Sequence, residues 1–357
     1  MKITIKSKQE ILDLLQDAAL GIGKDTSFSS GFIQALEQNS FFLLDAGRVT
    51  CFSDKSFASV FIPQFESFPE IKLPYASFLG LLNKIQDNKP FSVEVVDNSS
   101  LLFKQGLLEA SIQLSTVTEE NRFSLNCSSI EWEKVDSEFC KGIKLCEFST
   151  LRDSIKPLYA AICITDGCII TSDNYKLSRY KLQEHSPNTN FSIHSSVIEV
   201  VVTFNPSLFG EVSEGWIAFQ NERGAILCIR KMDASFPDTI STFFEFTGLQ
   251  FPVSDLIGSL VETVSIFSSG LSDLDSSILI TIKDGILRMR SDKEGVGWIS
   301  DGIPIEYTEG PEISFYVNPT FFTQILSEVT HFQVDDDLKK IRFFSGSFEH
   351  ICFLLNK

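Results

Sequence analysis

Gly21-Ile22-Gly23-Lys24 is the stretch of this chain that comes nearest to a phosphate-binding loop, in which backbone N–H groups and a lysine cradle a nucleotide. The match fails twice. That loop needs a glycine five residues before its second glycine, where Ala18 stands, and a hydroxyl residue after the lysine, where Asp25 stands. Asp335-Asp336-Asp337 offers carboxylates to a hard cation, but no other ligand lies near in sequence. Followed by Leu338-Lys339-Lys340, it reads as a solvated hairpin turn. Asp173 beside Lys176 could work as an acid/base residue, yet nothing places a nucleophile near it, and a loop-capping role fits better. The four histidines show no HxxxH spacing and no nucleophile context. The eight cysteines lack CxxC or Cys/His ligand spacing and read as small buried hydrophobes of a cytosolic chain. No catalytic, metal or cofactor constellation emerges, so the chain is expected not to be an enzyme.

The cations carry more information. Lys141 and Lys144 share a helix face at i, i+3, and Arg152 and Lys156 follow in the next loop. Lys84 lies on another helix, with Lys89 just after it. Any one of these lysines equally suits an ordinary solvated face. The net charge of -17 speaks against a conventional nucleic-acid binder, which carries a basic excess. An acidic protein-interaction adaptor is one class that remains open; a β-rich hydrolase is the weakest.

These residues must be positioned by helices and strands, and the helices repeat. Phe78, Leu81, Leu82 and Ile85 recur at i, i+3, i+4 and i+7 after Pro74-Tyr75-Ala76-Ser77. Phe321, Phe322, Ile325, Leu326 and Val329 do the same after Asn318, a candidate N-cap, and Pro319. Between them, Val197, Ile198, Val201 and Val202 follow His194-Ser195-Ser196. The starts are roughly 120 residues apart, the mark of repeated domains. Val197 to Val202 favours strand by propensity, and only the repeat makes it helix. A second helix opens each repeat: Ile11, Leu14, Leu15 and Ala18 share a face in the first, and Phe139, Ile143 and Cys146 in the second. In the third, Leu256, Leu260, Val264 and Phe267 do so behind Ser254. The remainder is mostly strand, with hairpin signals at Asp45-Ala46-Gly47, Asp166-Gly167, Asn221 to Gly224 and Asp284-Gly285. Length and repeat divide the chain into 1–119, 120–245 and 246–357, with boundaries near Ser115 to Asn121 and Phe243 to Gly248. Hydrophobic residues at 43% and 33 Phe supply well-formed cores. No apolar run is long enough for a membrane span, and Met1 to Lys6 alternates like a strand rather than a secretory signal.

Four landmarks carry a family resemblance. Thr171-Ser172-Asp173-Asn174-Tyr175-Lys176-Leu177 resembles the Thr-Asp-Gly-His-Arg-Leu segment of bacterial beta-type sliding clamps of DNA polymerase. Lys231 to Asp238, with Phe236-Pro237-Asp238, is similar to that family's Gly-Arg-Phe-Pro-Asp-Tyr segment. Ile351-Cys352-Phe353-Leu354-Leu355 resembles its closing apolar strand, and Gly23-Lys24-Asp25-Thr26 stands where it has Gly-Arg-Pro-Thr. Order and spacing follow the family across essentially the whole chain. Asn174-Tyr175 departs from Gly-His, and Asp25 from Pro, as in a divergent copy, which a phage could encode.

The resemblance implies an α+β fold of three repeated DNA-clamp domains, each with two helices backed by antiparallel sheets. Two chains would join head to tail as a homodimeric ring around double-stranded DNA, tethering a replicative DNA polymerase after a clamp loader places it. A ring holds DNA by topology, so an acidic outer surface is compatible with a few inward cations. Lys24, Lys84, Lys141, Lys144, Arg152 and Lys156 would meet phosphates without base readout. A partner-peptide pocket would be walled by Tyr159, Thr171, Asn174, Tyr175, Lys176, Leu177, Pro237, Thr242, Phe321, Ile351 and Phe353. Ile112 and Leu114 would meet Ile266 and Phe267 across the dimer interface. The setting implied is cytoplasmic and nucleoid-associated, in the host cytoplasm if a phage encodes the chain.

Overall fold

The computed structural model describes residues 2–22, 41–87, 89–97, 99–118, 125, 127, 129–183, 190–212, 215–268, 276–307 and 310–355. Lys24, its segment Gly23-Lys24-Asp25-Thr26 and residues 119–121 of the expected first boundary lie outside them. The chain forms two compact units, residues 1–140 with 191–232 and residues 141–190 with 233–357. Each unit draws on two of the three segments expected from the sequence.

Along the chain run β1 (Lys2–Ile5), α1 (Gln9–Ala19), β2 (Phe41–Asp45), β3 (Arg48–Phe52), β4 (Ser56–Phe61), β5 (Ile71–Pro74), α2 (Tyr75–Lys84), β6 (Phe91–Val96), β7 (Ser100–Gln105) and β8 (Leu108–Gln113). Next come β9 (Glu133–Lys134), α3 (Phe139–Cys146), α4 (Pro157–Ala160), β10 (Ala161–Thr165), β11 (Cys168–Ser172), β12 (Lys176–Lys181), β13 (Phe191–His194), α5 (Ile198–Phe204), β14 (Leu208–Val212), β15 (Trp216–Gln220) and β16 (Ile226–Arg230). The chain continues through β17 (Gln250–Pro252), α6 (Asp255–Ser265), β18 (Ile278–Lys283), β19 (Ile286–Lys293), β20 (Gly297–Pro304), β21 (Ile313–Val317), α7 (Pro319–Thr323), β22 (His331–Val334), β23 (Lys340–Ser345) and β24 (Phe348–Phe353).

The first unit holds a sheet in the order β1-β6-β7-β8 and another in the order β5-β2-β3-β4-β16-β15-β14-β9. In the second, β10-β11-β12-β24-β23-β22-β17 run side by side, and β20-β19-β18-β21 form a further sheet. The strand pairings among the described residues are antiparallel, so the fold is α+β as expected. Two pairings join distant parts of the sequence: β4 to β16, with Ala58 opposite Leu227, and β12 to β24, with Leu177 opposite Ile351. Three hairpin signals form tight turns with both central residues at positive φ: Ala46-Gly47, Asp166-Gly167 and Asp284-Gly285.

The helices follow local chemistry with three adjustments. Ile11, Leu12, Leu15 and Ala18 are buried on α1, Leu12 taking the place expected for Leu14. Ser254 caps α6 by accepting the Leu256 N–H at 3.3 Å. Leu256 itself is exposed, and the buried stripe is Ile257, Leu260, Val261 and Val264. Residues 195–197 form a 3-10 turn leading into α5, which ends on Asn205 at φ 51°. Ile198, Val200, Val201 and Phe204 are all buried there, so tertiary burial overrides the strand propensity of the run. Asn318 caps α7, its Oδ1 accepting from the N–H groups of Thr320 at 2.9 Å and Phe321 at 3.4 Å. That helix stops at Thr323 and yields to a 3-10 turn, Leu326–Glu328, which divides the single apolar face expected through Val329. Among the described residues no helix is long and apolar enough to cross a membrane.

Candidate functional site

The β11–β12 hairpin of the second unit is closed by a single carboxylate. Asp173 Oδ1 accepts the N–H groups of Tyr175 at 3.0 Å and Lys176 at 2.8 Å. Its other oxygen pairs with Lys176 Nζ at 3.3 Å. Asn174, at φ 79°, occupies the left-handed region that Asn tolerates better than most side chains. Asp173 is thus a loop cap, and the turn thrusts Asn174 and Tyr175 outward, Tyr175 being 47% exposed.

Around this turn the sequence-predicted pocket residues gather at different depths. Tyr175 packs on Phe321, which α7 presents, with ring centroids 6.4 Å apart. Lys176 Nζ lies 4.6 Å from the Phe321 ring centroid. Although it is a lysine, Lys176 is only 7% exposed, because the carboxylate and the ring replace its water. Tyr159 donates to Asn174 Oδ1 at 3.0 Å and carries Lys156 above its ring at 5.1 Å. Leu177 and Ile351 are fully buried and cluster with Ile170 and Phe244, forming core beneath the surface. Thr171 is buried too, its hydroxyl donating to the Cys146 carbonyl at 2.5 Å. Phe353 is half-buried, while Pro237 is exposed at the start of the 3-10 segment Asp238–Phe244 and Thr242 is exposed within it.

Sequence reading missed two members of this neighbourhood. Phe243, 41% exposed, meets Phe353 edge-on at 6.0 Å. Lys340 fixes that segment by donating to the carbonyls of Phe243 at 3.1 Å and Glu245 at 2.6 Å. The adjacent pair Phe243-Phe244 was the available signal: in a 3-10 turn, neighbours point different ways, and here one is core and one surface.

Beneath these aromatic side chains lies a buried polar chain. Ser178 Oγ is 2.8 Å from His350 Nδ1 and from Ser149 Oγ, and His350 Nε2 is 3.4 Å from Cys352 Sγ. Burial, aided by the charge of Lys176, pushes the His350 pKa down to about 3. Ser, His and Cys together suggest hydrolysis, but all four side chains are sealed in the core, so no substrate reaches them. Their hydrogen bonds tie β12 and β24 to the turn at residues 147–149. Among the described residues no three His, Cys, Asp or Glu side chains group as a metal site would need.

The expected DNA-contacting cations fall in both units. Lys84 is exposed on the last turn of α2 in the first. Lys141, Lys144, Arg152 and Lys156 belong to the second, and Glu147 draws two of them together, pairing with Lys144 at 3.4 Å and with Arg152. With Lys176, Gln324 and Glu328 these three line a cleft of about 580 Å³. The intervening loop also carries Leu151 and Ile155 in the open, Ile155 without cover.

The expected interface residues divide by exposure. Ile112 and Leu114 are buried, Ile112 on the edge strand β8. Ile266 is 68% exposed just past α6, and Phe267 is half-buried near Gly297. Two residues that the sequence did not single out join them. Val296 and Trp298 stand exposed at the start of β20, the edge of its sheet, with Arg290 stacked on Trp298 at 4.9 Å. An edge strand with unpaired backbone groups and exposed apolar side chains is a ready template for pairing.

No protein-family model matches the chain, and no curated protein matches it in sequence. Solved structures match it in fold. The DNA polymerase III beta subunit of Pseudomonas aeruginosa aligns with a TM-score of 0.81 at 12% identity, over 100% of both chains. The beta subunit of Thermotoga maritima gives 0.77 at 14% identity, over 100% of this chain and 99% of that one. The DNA polymerase sliding clamp of Bacillus subtilis gives 0.78 at 15% identity, with the same coverage. The fold of this chain is therefore that of the bacterial sliding clamps, end to end.

Proposed function

We propose that this chain is a DNA polymerase processivity factor, a non-enzymatic homodimeric ring that encircles duplex DNA and slides along it. The observation that carries this reading is the full-length fold match, in which neither chain has a substantial unmatched part. In this reading residues 1–119, 120–245 and 246–357 are three clamp domains, and a replicative polymerase and a clamp loader are the partners. Peptides from those partners dock at the groove around Tyr175, Phe321, Phe353 and Phe243. Lys84, Lys141, Lys144, Arg152 and Lys156 meet DNA phosphates, and Lys24 is assigned the same part. Ring closure joins Ile112 and Leu114 of one chain to Ile266 and Phe267 of the next. The protein works in the cytoplasm on nucleoid DNA, or in a host's cytoplasm if phage-encoded.

An acidic adaptor that does not encircle DNA is the second reading, favoured by the net charge of -17. Solution mass separates the two. A clamp sediments as a dimer of twice the 40.0 kDa chain and images as a ring by electron microscopy. A monomer at micromolar concentration with no ring particles would overturn the clamp reading.

A further inference from the structure

Cys127 and Cys228 face each other in the first unit with their sulfurs 3.9 Å apart. We propose that this pair is an oxidation site, at which a hydroperoxide converts two thiols into a disulfide linking the segment around Cys127 to β16. Nothing in the clamp reading requires such a bond, and the inference stands or falls without it.

Geometry assigns the pair its two roles. Cys228 is fully buried on β16, opposite Phe57 of β4 and Ala218 of β15. Cys127 is half-buried, so its sulfur is the one an oxidant in solution can meet. Both sit at one apolar cluster with Phe57, Val212 and Trp216, which fixes the buried partner in place. The hydrogen bond from Cys228 lowers the Cys127 pKa against the opposing effect of its partial burial, and the charge of Arg48 adds to the lowering. Five other thiols are disfavoured as nucleophiles, since burial raises Cys140 to about 11, Cys51 and Cys352 to about 12, and Cys146 and Cys168 as well. Thiolate character with access selects the thiol that oxidises first.

The chemistry needs only the peroxide. The Cys127 thiolate attacks one peroxide oxygen, the O–O bond breaks and an S–O bond forms, and the expelled alkoxide or hydroxide takes up the proton that the Cys127 thiol released, leaving as alcohol or water. Cys228 then attacks the Cys127 sulfur, the S–O bond breaks, and the Cys228 proton departs with the hydroxyl as water. Two thiols lose two electrons, and the peroxide takes them up. Closing 3.9 Å to the bond length of about 2.05 Å asks for the two sulfurs to approach by roughly 2 Å.

Treating the full-length protein with hydrogen peroxide and mapping its peptides without reduction tests this. The expected result is a Cys127–Cys228 cross-linked peptide, a mass loss of about 2 Da and loss of two of the eight titratable thiols, all reversed by dithiothreitol. Cys127→Ser should abolish the cross-link. Cys228→Ala should leave Cys127 as a sulfenic acid that dimedone traps. A different cysteine pair in the wild-type map, or thiols untouched while Met is already oxidised, would overturn the proposal, and neither reading depends on a variant folding.

Discussion

The backbone N–H of Phe353 donates to the carbonyl of Tyr175 at 3.1 Å, continuing the β12–β24 ladder to the residue before β12. This bond places two aromatic pairs in sequence: Phe321 on Tyr175, then Phe353 on Phe243. Tyr175 and Phe243 are both more than two-fifths exposed and Phe321 and Phe353 are half-buried, so each pair offers one ring to solvent. Isolated exposed aromatics are ordinary on a protein surface, whereas a contiguous set above a sealed apolar floor suits an apolar side chain from a partner.

Phe353→Ala should therefore weaken binding of a cognate polymerase-tail peptide by about 1–3 kcal/mol, the cost of losing an anchor contact. Phe243→Ala should act in the same direction, because it removes the edge contact that orients Phe353. Titration calorimetry on both variants and wild type checks this, with sedimentation confirming an unchanged assembly. Unaltered affinity in both would remove the aromatic row from the site.

Ring closure is tested where side chains are free to be changed. Ile112 and Leu114 are buried within their own unit, so charging them would damage its core. Ile266 and Trp298 are mostly exposed, so Ile266→Asp with Trp298→Asp should leave the chain folded. If the two side chains close the ring, burying unpaired charge there should weaken the dimer by at least about 3 kcal/mol, more than a hundredfold. Sedimentation at micromolar protein should then show monomer; an intact dimer would move the interface elsewhere.

Much of this was legible because it rests on local chemistry. Asn318 followed by Pro319 announced α7, and Asp-Gly pairs announced two of the turns. Family order placed Tyr175, Phe321 and Phe353 in one neighbourhood. Burial depth was not legible. Leu177 and Ile351 lie beneath the aromatic side chains because β12 pairs with β24, a contact some 170 residues apart that no local pattern reports. Lys176 reads as a polar handle for a peptide, yet Asp173 and Phe321 already engage it. Leu256 fits the helical period but lies one turn position off the buried stripe, since two registers of α6 are nearly equally apolar. Trp298 escaped notice because exposure on an edge strand depends on which strand ends the sheet.

Topology predicts a particular response to salt. If Lys84, Lys141, Lys144, Arg152 and Lys156 meet phosphates as proposed, those contacts are screened as salt rises, while encirclement is not. Protein loaded on closed circular DNA should stay bound at salt that strips it from linear DNA with free ends. Glu147 already neutralises part of the Lys144 and Arg152 charge, so Glu147→Gln should strengthen binding to linear DNA at low salt by a few-fold. Gel filtration of both DNA complexes across a salt series gives the answer, and equal loss from both substrates would mean electrostatic binding without encirclement.

His350 ties the stability of the second unit to pH. Its pKa is pushed down to about 3 by burial and by the charge of Lys176, against about 6.5 when the chain is unfolded. Between these values the unfolded state binds a proton that the folded state refuses. The stability linked to His350 is thus fully present above pH 6.5 and falls as pH drops toward 3. The slope is about 1.4 kcal/mol per pH unit for this single proton. His350→Asn keeps a polar atom near the position of Nδ1 for the Ser178 hydroxyl and removes the titration. Urea unfolding from pH 7 to pH 4 should show a shallower decline in that variant, by about one proton, whatever its stability at pH 7. In Lys176→Met the His350 pKa should rise, though not to its ordinary value, because burial is the larger cause. Proton NMR of the imidazole reads that shift directly. An unchanged acid slope in His350→Asn would mean that the buried histidine is not what couples this unit to pH.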